Sequence, residues 1–134
     1  MIVVLAAAPI PQFFRSDSVQ RCLAPNENVL IFPQAKHGNG DLWQVAAGFR
    51  FRMADGYVAP DVPASFMTTP AVAHVANRVV TWPDLVSFAR AKNVATVLVD
   101  PSQSEPYRSI LRPLAPPRAV GGMLVYRFDK TARC

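Results

Sequence analysis

Val94-Ala95-Thr96-Val97-Leu98-Val99, closed by Asp100-Pro101, decides how the rest of this chain is read. The run is nearly continuous in apolar residues. A strand with one wet face would alternate apolar and polar residues, whereas a run of this kind suits a strand covered on both faces, as in an α/β sheet. Val29-Leu30-Ile31-Phe32 has the same character and is stopped by Pro33. Between and after these runs the period changes to that of helices. Thr81-Trp82-Pro83-Asp84 is a helix start, with Thr81 as N-cap, Pro83 in the first turn and Asp84 three residues on as in a capping box. Leu85, Val86, Phe88 and Ala89 supply its apolar face, Asn93 its C-cap, and the helix is expected over 82–92. Ser104 caps a further helix over 105–112, in which Tyr107, Ile110, Leu111 and Leu114 recur at helical spacing while Arg108 and Arg112 share the solvent side. Pro116-Pro117 make a connector. Gly121-Gly122 precede a last strand, Met123 to Phe128.

Working back toward the N-terminus, Asp41 is a good N-cap for a helix carrying Leu42, Val45, Ala46 and Phe49. Phe49, Phe51 and Met53 then alternate with Arg50 and Arg52, a short strand with one buried face. Asp55-Gly56 is a turn signal, Tyr57 and Val58 begin a short return, and residues 59–70 read as a proline-punctuated loop. Thr69-Pro70 opens a short helix carrying Val72 and Val75. Strands alternating with helices predict an α/β sandwich of two or three layers around a largely parallel, mixed sheet of about four or five strands.

The chain has 134 residues, enough for one domain. The division expected is an apolar segment and linker over 1–25, a single α/β domain over 26–129, and a polar tail over 130–134. Phe13 and Phe14 are placed to anchor the linker by packing. With 51% hydrophobic and 17% charged residues, a core is affordable and a disordered chain is excluded. The net charge of +5 comes mostly from arginines scattered along the chain. A nucleic-acid binder concentrates its bases in a stripe with interleaved aromatics, so the expected partner is a smaller anion, a phosphate or a lipid head group, and not nucleic acid. Met1 to Ala8 is wholly apolar and is followed by Pro9 and Pro11. It is far short of the roughly 20 residues that span a bilayer. It reads either as a buried strand or as the end of a transmembrane helix.

Candidate chemistry concentrates in two places. Lys36-His37-Gly38-Asn39-Gly40-Asp41 follows the first buried strand, at the end where open α/β sheets bind ligands, and leads into a helix N-terminus that favours an anion. The same glycines serve equally to make the turn, and Asp41 to cap the helix. Arg50 and Arg52, with Asp55 nearby, form a candidate clamp for a phosphate or carboxylate, against the plain alternative of a solvated face. Asp100 stands where α/β enzymes place carboxylates, but before a proline it reads first as a turn residue. His74 reads as a structural histidine, and Trp43 and Trp82 as core or lid aromatics. The loop matches neither GxGxxG nor GxxxxGK[ST], no GxSxG is present, and no metal-ligand spacing occurs, so no cofactor, metal or catalytic set is expected. Cys22 and Cys134 are read as unpaired thiols in preference to a disulfide, which the sequence does not argue for.

The segment NVLIFPQAKHGNGDLWQVAAGFRFRMADGYVAP, residues 28–60, together with Val94–Val99 and Gly121–Tyr126, resembles the C-terminal soluble regions of bacterial polytopic membrane proteins of the GT-C glycosyltransferase type. The likeness spans about residues 9–128 by its pattern of strands and turns. It implies a last transmembrane helix ending near Pro9 or Pro11, an extracytoplasmic (periplasmic) domain attached to the membrane through that helix, and contact with a glycan or lipid-phosphate. It supplies no catalytic residue, because such enzymes carry theirs in an early loop absent from this chain. The expectation is therefore a non-catalytic accessory domain, with Lys36–Asp41 and Arg50/Arg52 as its ligand contacts. The alternatives are a free-standing, cytoplasmic, flavodoxin-like binder or enzyme in which His37 and Asp100 share a pocket, and an interaction module that pairs through a sheet edge.

Overall fold

The two apolar runs lie side by side. A computed structural model describes residues 10–32, 40–48, 50–54, 81–103, 107–129 and 134. In chain order its elements are α1 (Gln12–Arg15), α2 (Ser18–Cys22), β1 (Asn28–Phe32), α3 (Gly40–Ala46), β2 (Arg52–Met53), α4 (Trp82–Lys92), β3 (Thr96–Val99), a 3₁₀ turn (Pro101–Gln103), α5 (Tyr107–Ile110), β4 (Arg118–Val120) and β5 (Met123–Arg127). β1 pairs with β3 in parallel, Val29 opposite Thr96 through Phe32 opposite Val99. β2 adds in parallel on the other side of β1, and β5 adds antiparallel to β3. The sheet order is β2-β1-β3-β5-β4.

Side chains alternate across this sheet and divide the core in two. Val29, Ile31, Leu98, Met123 and Val125 face a layer holding Phe13, Phe14, Val19, Leu23, Trp43 and Phe51. Leu30, Phe32, Val97, Val99 and Tyr126 face Leu85, Phe88 and Ala89 of α4, and Tyr107 and Leu111 in and just after α5. The α/β architecture with a mixed sheet is thus what the chain adopts, in three layers. β1 and β3 are buried on both faces, which is why their sequences show no alternation.

The best-specified element is α4. Thr81 Oγ1 accepts from the Asp84 amide at 3.3 Å and donates to Asp84 Oδ2 at 3.1 Å. Asn93 closes the helix in the left-handed conformation, φ 55°, and Asn28 Nδ2 donates to the Lys92 carbonyl at 2.7 Å. Cap and stop both follow the sequence reading.

Three expectations change. Residues 10–23 are not a linker: Phe13, Phe14, Val19, Cys22 and Leu23 are all core residues. Phe14 stacks on Trp43, centroids 5.1 Å apart, and this aromatic packing draws the segment down onto the sheet. In α3 the buried side chain is Trp43, while Val45 is 58% exposed and Ala46 faces out, so the apolar stripe read through Val45 and Ala46 is out of phase. Burying an indole of 150–250 Å² contributes about 4–6 kcal/mol, more than two small side chains offer. It also outweighs the unmade hydrogen bond of the buried Trp43 Nε1, which costs about 1–3 kcal/mol. Lastly, Cys22 and Cys134 are not free thiols but a disulfide, 112 residues apart in sequence. Cys134 is thereby tied to the core and is no loose tail. The expected turn at Asp55-Gly56, the helix with His74, the Ser104 cap and the apolar run Met1–Ala8 lie outside the described residues. No helix among those described is long and apolar enough to cross a membrane.

Candidate functional site

Of the expected ligand contacts, Lys36, His37, Gly38 and Asn39 lie outside the described residues, and Gly40 and Asp41 open α3. Arg50 turns inward. Its Nη2 donates to the Leu23 carbonyl at 3.1 Å and the Gln20 carbonyl at 3.5 Å, satisfying the C-terminal end of α2, while its buried Nε has no hydrogen-bond partner. Arg52 is exposed on β2, its amide bonded to the Glu27 carbonyl. The structure therefore does not aim Arg50 and Arg52 together as a clamp. Asp100 is occupied as a turn residue: Oδ1 accepts from the Ser102 amide at 3.0 Å and from Ser102 Oγ at 2.7 Å.

A polar cluster lies at the opposite end of the sheet. Thr96, fully buried, donates from Oγ1 to Glu27 Oε2 and accepts from Arg127 Nη1 at 2.7 Å. Glu27 Oε1 accepts the Ala24 amide, and Arg127 holds Asp129 through two nitrogens, at 3.2 and 3.0 Å. Arg127 Nη1 also reaches the Cys22 carbonyl at 3.4 Å. Every charge here has a protein partner within the cluster, so it fastens α2 and the disulfide to the sheet and leaves no group for a ligand.

The outer part of the sheet is different. α4 covers β1 and β3 with three turns, and among the described residues the single turn of α5 and an irregular stretch to Pro117 stand over β5. Tyr126, the fourth residue of β5, forms the floor of a hollow of about 370 Å³ walled by Arg108, Arg112, Leu114, Pro116 and Pro117. The Arg108 guanidinium stands close enough to the Tyr126 phenol to act on its titration. Burial raises the Tyr126 phenol above its usual 10.0, an effect the Arg108 charge partly offsets. Arg112 stands one turn on, exposed. Among the described residues no acid lines this hollow. Its wall carries two permanent positive charges and planar donor arrays suited to a phosphate or carboxylate. A further hollow between α2 and α3 is lined by Arg15 and Asp17, and Asp17 cancels its charge.

Comparison with protein families, curated proteins and solved structures finds no match to this chain.

Among the described residues no group of three or more His, Cys, Asp or Glu could hold a metal. What the outer groove can do chemically is bind: Arg108 and Arg112 attract an anion, and Tyr126 offers a hydroxyl, neutral at physiological pH, beside them. The sequence placed Arg108 and Arg112 correctly on the solvent side of their helix. It held no sign that Tyr126 would stand beneath them, because that neighbour comes from β5 across the chain. The retrospective signal is the alternation Leu124, Tyr126, Phe128, which puts three large side chains on one face of β5 and its continuation.

Proposed function

We propose that this chain is a non-catalytic, extracytoplasmic α/β binding domain that holds an anionic group between Arg108 and Arg112 over Tyr126. One observation carries the reading: two arginines line an open hollow beside β5, and no acid is among the described residues that line it. Two guanidinium groups at one surface hollow cost self-repulsion, which a bound anion relieves. The disulfide supports the compartment, because bridges of this kind persist in oxidising surroundings. Both features are in keeping with the resemblance to accessory domains of GT-C-type membrane proteins, whose substrates carry lipid-linked phosphate.

Calorimetric titration of the full chain with inorganic phosphate at low ionic strength tests this. Weak, salt-sensitive binding is expected, reduced about tenfold by each of Arg108→Gln and Arg112→Gln, as the loss of a charge-assisted hydrogen bond predicts. Binding that survives the double variant unchanged would place the anion elsewhere.

A further inference from the structure

The basic hollow does not end at Tyr126. Leu114 also lines a second hollow of about 600 Å³, whose wall is Trp82, Val86, Ala89, Val94 and Phe128, with Arg90 and Asn93 completing it. Tyr126 and Phe128 are two residues apart on one face of the same extended segment, which sets their Cα atoms about 7 Å apart. The Phe128 amide continues the ladder by donating to the Ala95 carbonyl at 2.9 Å. Leu114 lines both hollows, so they adjoin as a trough beside β5, basic at Tyr126 and, apart from Arg90 and Asn93, apolar at Phe128. Trp82 and Phe128 stack at its apolar end, centroids 6.0 Å apart and planes at 23°, and both rings are only half-buried. Leu114 and Leu124 are half-buried as well. These are large apolar side chains beside two arginines, whereas elsewhere among the described residues Val45 is the only large hydrophobic that is exposed.

We infer that this trough takes a single-chain anionic amphiphile, its head on Arg108 and Arg112 and its alkyl tail over Leu114 toward the Trp82–Phe128 pair. The inference rests on the anion-binding reading and adds the ligand's second half. A free inorganic anion would use only the basic end. A neutral apolar ligand would have no use for the arginines. Charge complementarity at one end and apolar lining at the other fit one occupant with both characters. The head is a phosphate or a carboxylate, since both match the guanidinium fork.

The test is a titration series on the full disulfide-bonded chain, with Trp82 fluorescence and calorimetry as readouts and every probe held below its micelle concentration. The probes are inorganic phosphate, hexyl, octyl and decyl phosphate, decanoate, and decyl maltoside. Affinity is expected to rise about two- to fourfold per methylene along the alkyl phosphates, with a shift of Trp82 emission. Decyl maltoside is expected to bind at least tenfold more weakly than decyl phosphate. Decanoate matching decyl phosphate assigns the head to anions generally, and decanoate failing assigns it to phosphate. Val86→Glu, a change on the surface of α4, is expected to flatten the chain-length series, with folding checked by circular dichroism. Equal affinity for inorganic and decyl phosphate would overturn the tail while leaving the anion pocket standing. Equal affinity for decyl maltoside and decyl phosphate would overturn the head. No binding by any probe would overturn both.

Discussion

Gly121 and Phe13 touch backbone to backbone. The Phe13 amide donates to the Gly121 carbonyl at 2.8 Å, and a Cβ built on Gly121 would stand 2.5 Å from the Phe13 nitrogen and 2.6 Å from its Cα. Gly121 and Gly122 are also the two residues of the β4–β5 turn, at φ 55° and 84°, the positive values that a tight two-residue hairpin requires. One glycine thus closes the hairpin and receives α1, whose Phe13 and Phe14 belong to one of the two halves of the core. Gly121→Ala is expected to destabilise the fold by about 2–4 kcal/mol, from a left-handed backbone plus a clash against main chain that cannot yield. Gly122→Ala, with only Pro11 Cβ nearby at 3.9 Å, is expected to cost about 1 kcal/mol, from backbone alone. Urea denaturation of the two variants checks the difference; equal losses would mean that α1 does not dock on the turn.

The Cys22–Cys134 bridge closes most of the chain into one loop. Chain-entropy arguments for a loop of this size give about 3–5 kcal/mol of stabilisation. Cys134→Ser is therefore expected to lower stability by that order, and reductant to lower the melting temperature of the native chain but not of the variant. Mass spectrometry of the unreduced protein after alkylation should find no modified cysteine.

Thr96 links Glu27 to Arg127 by giving its hydroxyl proton to one and its lone pair to the other. Thr96→Val keeps the shape and removes both bonds. A loss of about 1–3 kcal/mol is expected, since a carboxylate and a guanidinium are then short of a partner in a nearly dry site. Thr96→Ser should recover most of it. A Val variant as stable as the native chain would show that the cluster contributes nothing.

Tyr126 gives a pH dependence with a definite sign. Its folded-state value is raised, chiefly by burial, so the fold favours the neutral phenol. That contribution is complete below the ordinary value of 10.0 and is lost as pH rises through the raised value, so stability should fall in alkali and be unaffected by this group at neutral pH. Because Arg108 holds the value down, Arg108→Gln should push the phenol higher still. Ultraviolet titration of tyrosinate, with Tyr126→Phe to assign the step, reads both effects.

Much of this fold was legible because its signals are local or strongly periodic. The α4 cap needs only Thr81, Pro83 and Asp84, and the burial of β1 and β3 is written in unbroken apolar runs. What could not be read depends on residues that meet only in three dimensions. Phe13 and Phe14 sit among prolines with no period, so their docking on Gly121 has no sequence signature. β4, Arg118-Ala119-Val120, is too short and polar to announce itself, and exists because the Gly121-Gly122 turn folds it back on β5. Cys22 and Cys134 carry no spacing that pairs them. For the site, Arg50 looked like a free cation and is used to cap α2. Arg108 and Arg112 looked like ordinary solvent-facing residues and gain meaning only from Tyr126 beneath them. Residue type alone cannot separate a capping arginine from a binding one, because both are a guanidinium near a surface.

The most direct test of the anion-binding groove is a backbone and arginine-side-chain NMR titration of the full chain with octyl phosphate. The groove predicts that the largest shifts fall on Arg108, Arg112, Leu114 and Tyr126, with Phe128 following, while Gly40, Asp41 and Arg52 stay still. Shifts centred on Gly40, Asp41 and Arg52, with Arg108 and Tyr126 unmoved, would contradict it and return the site to the loop after the first strand.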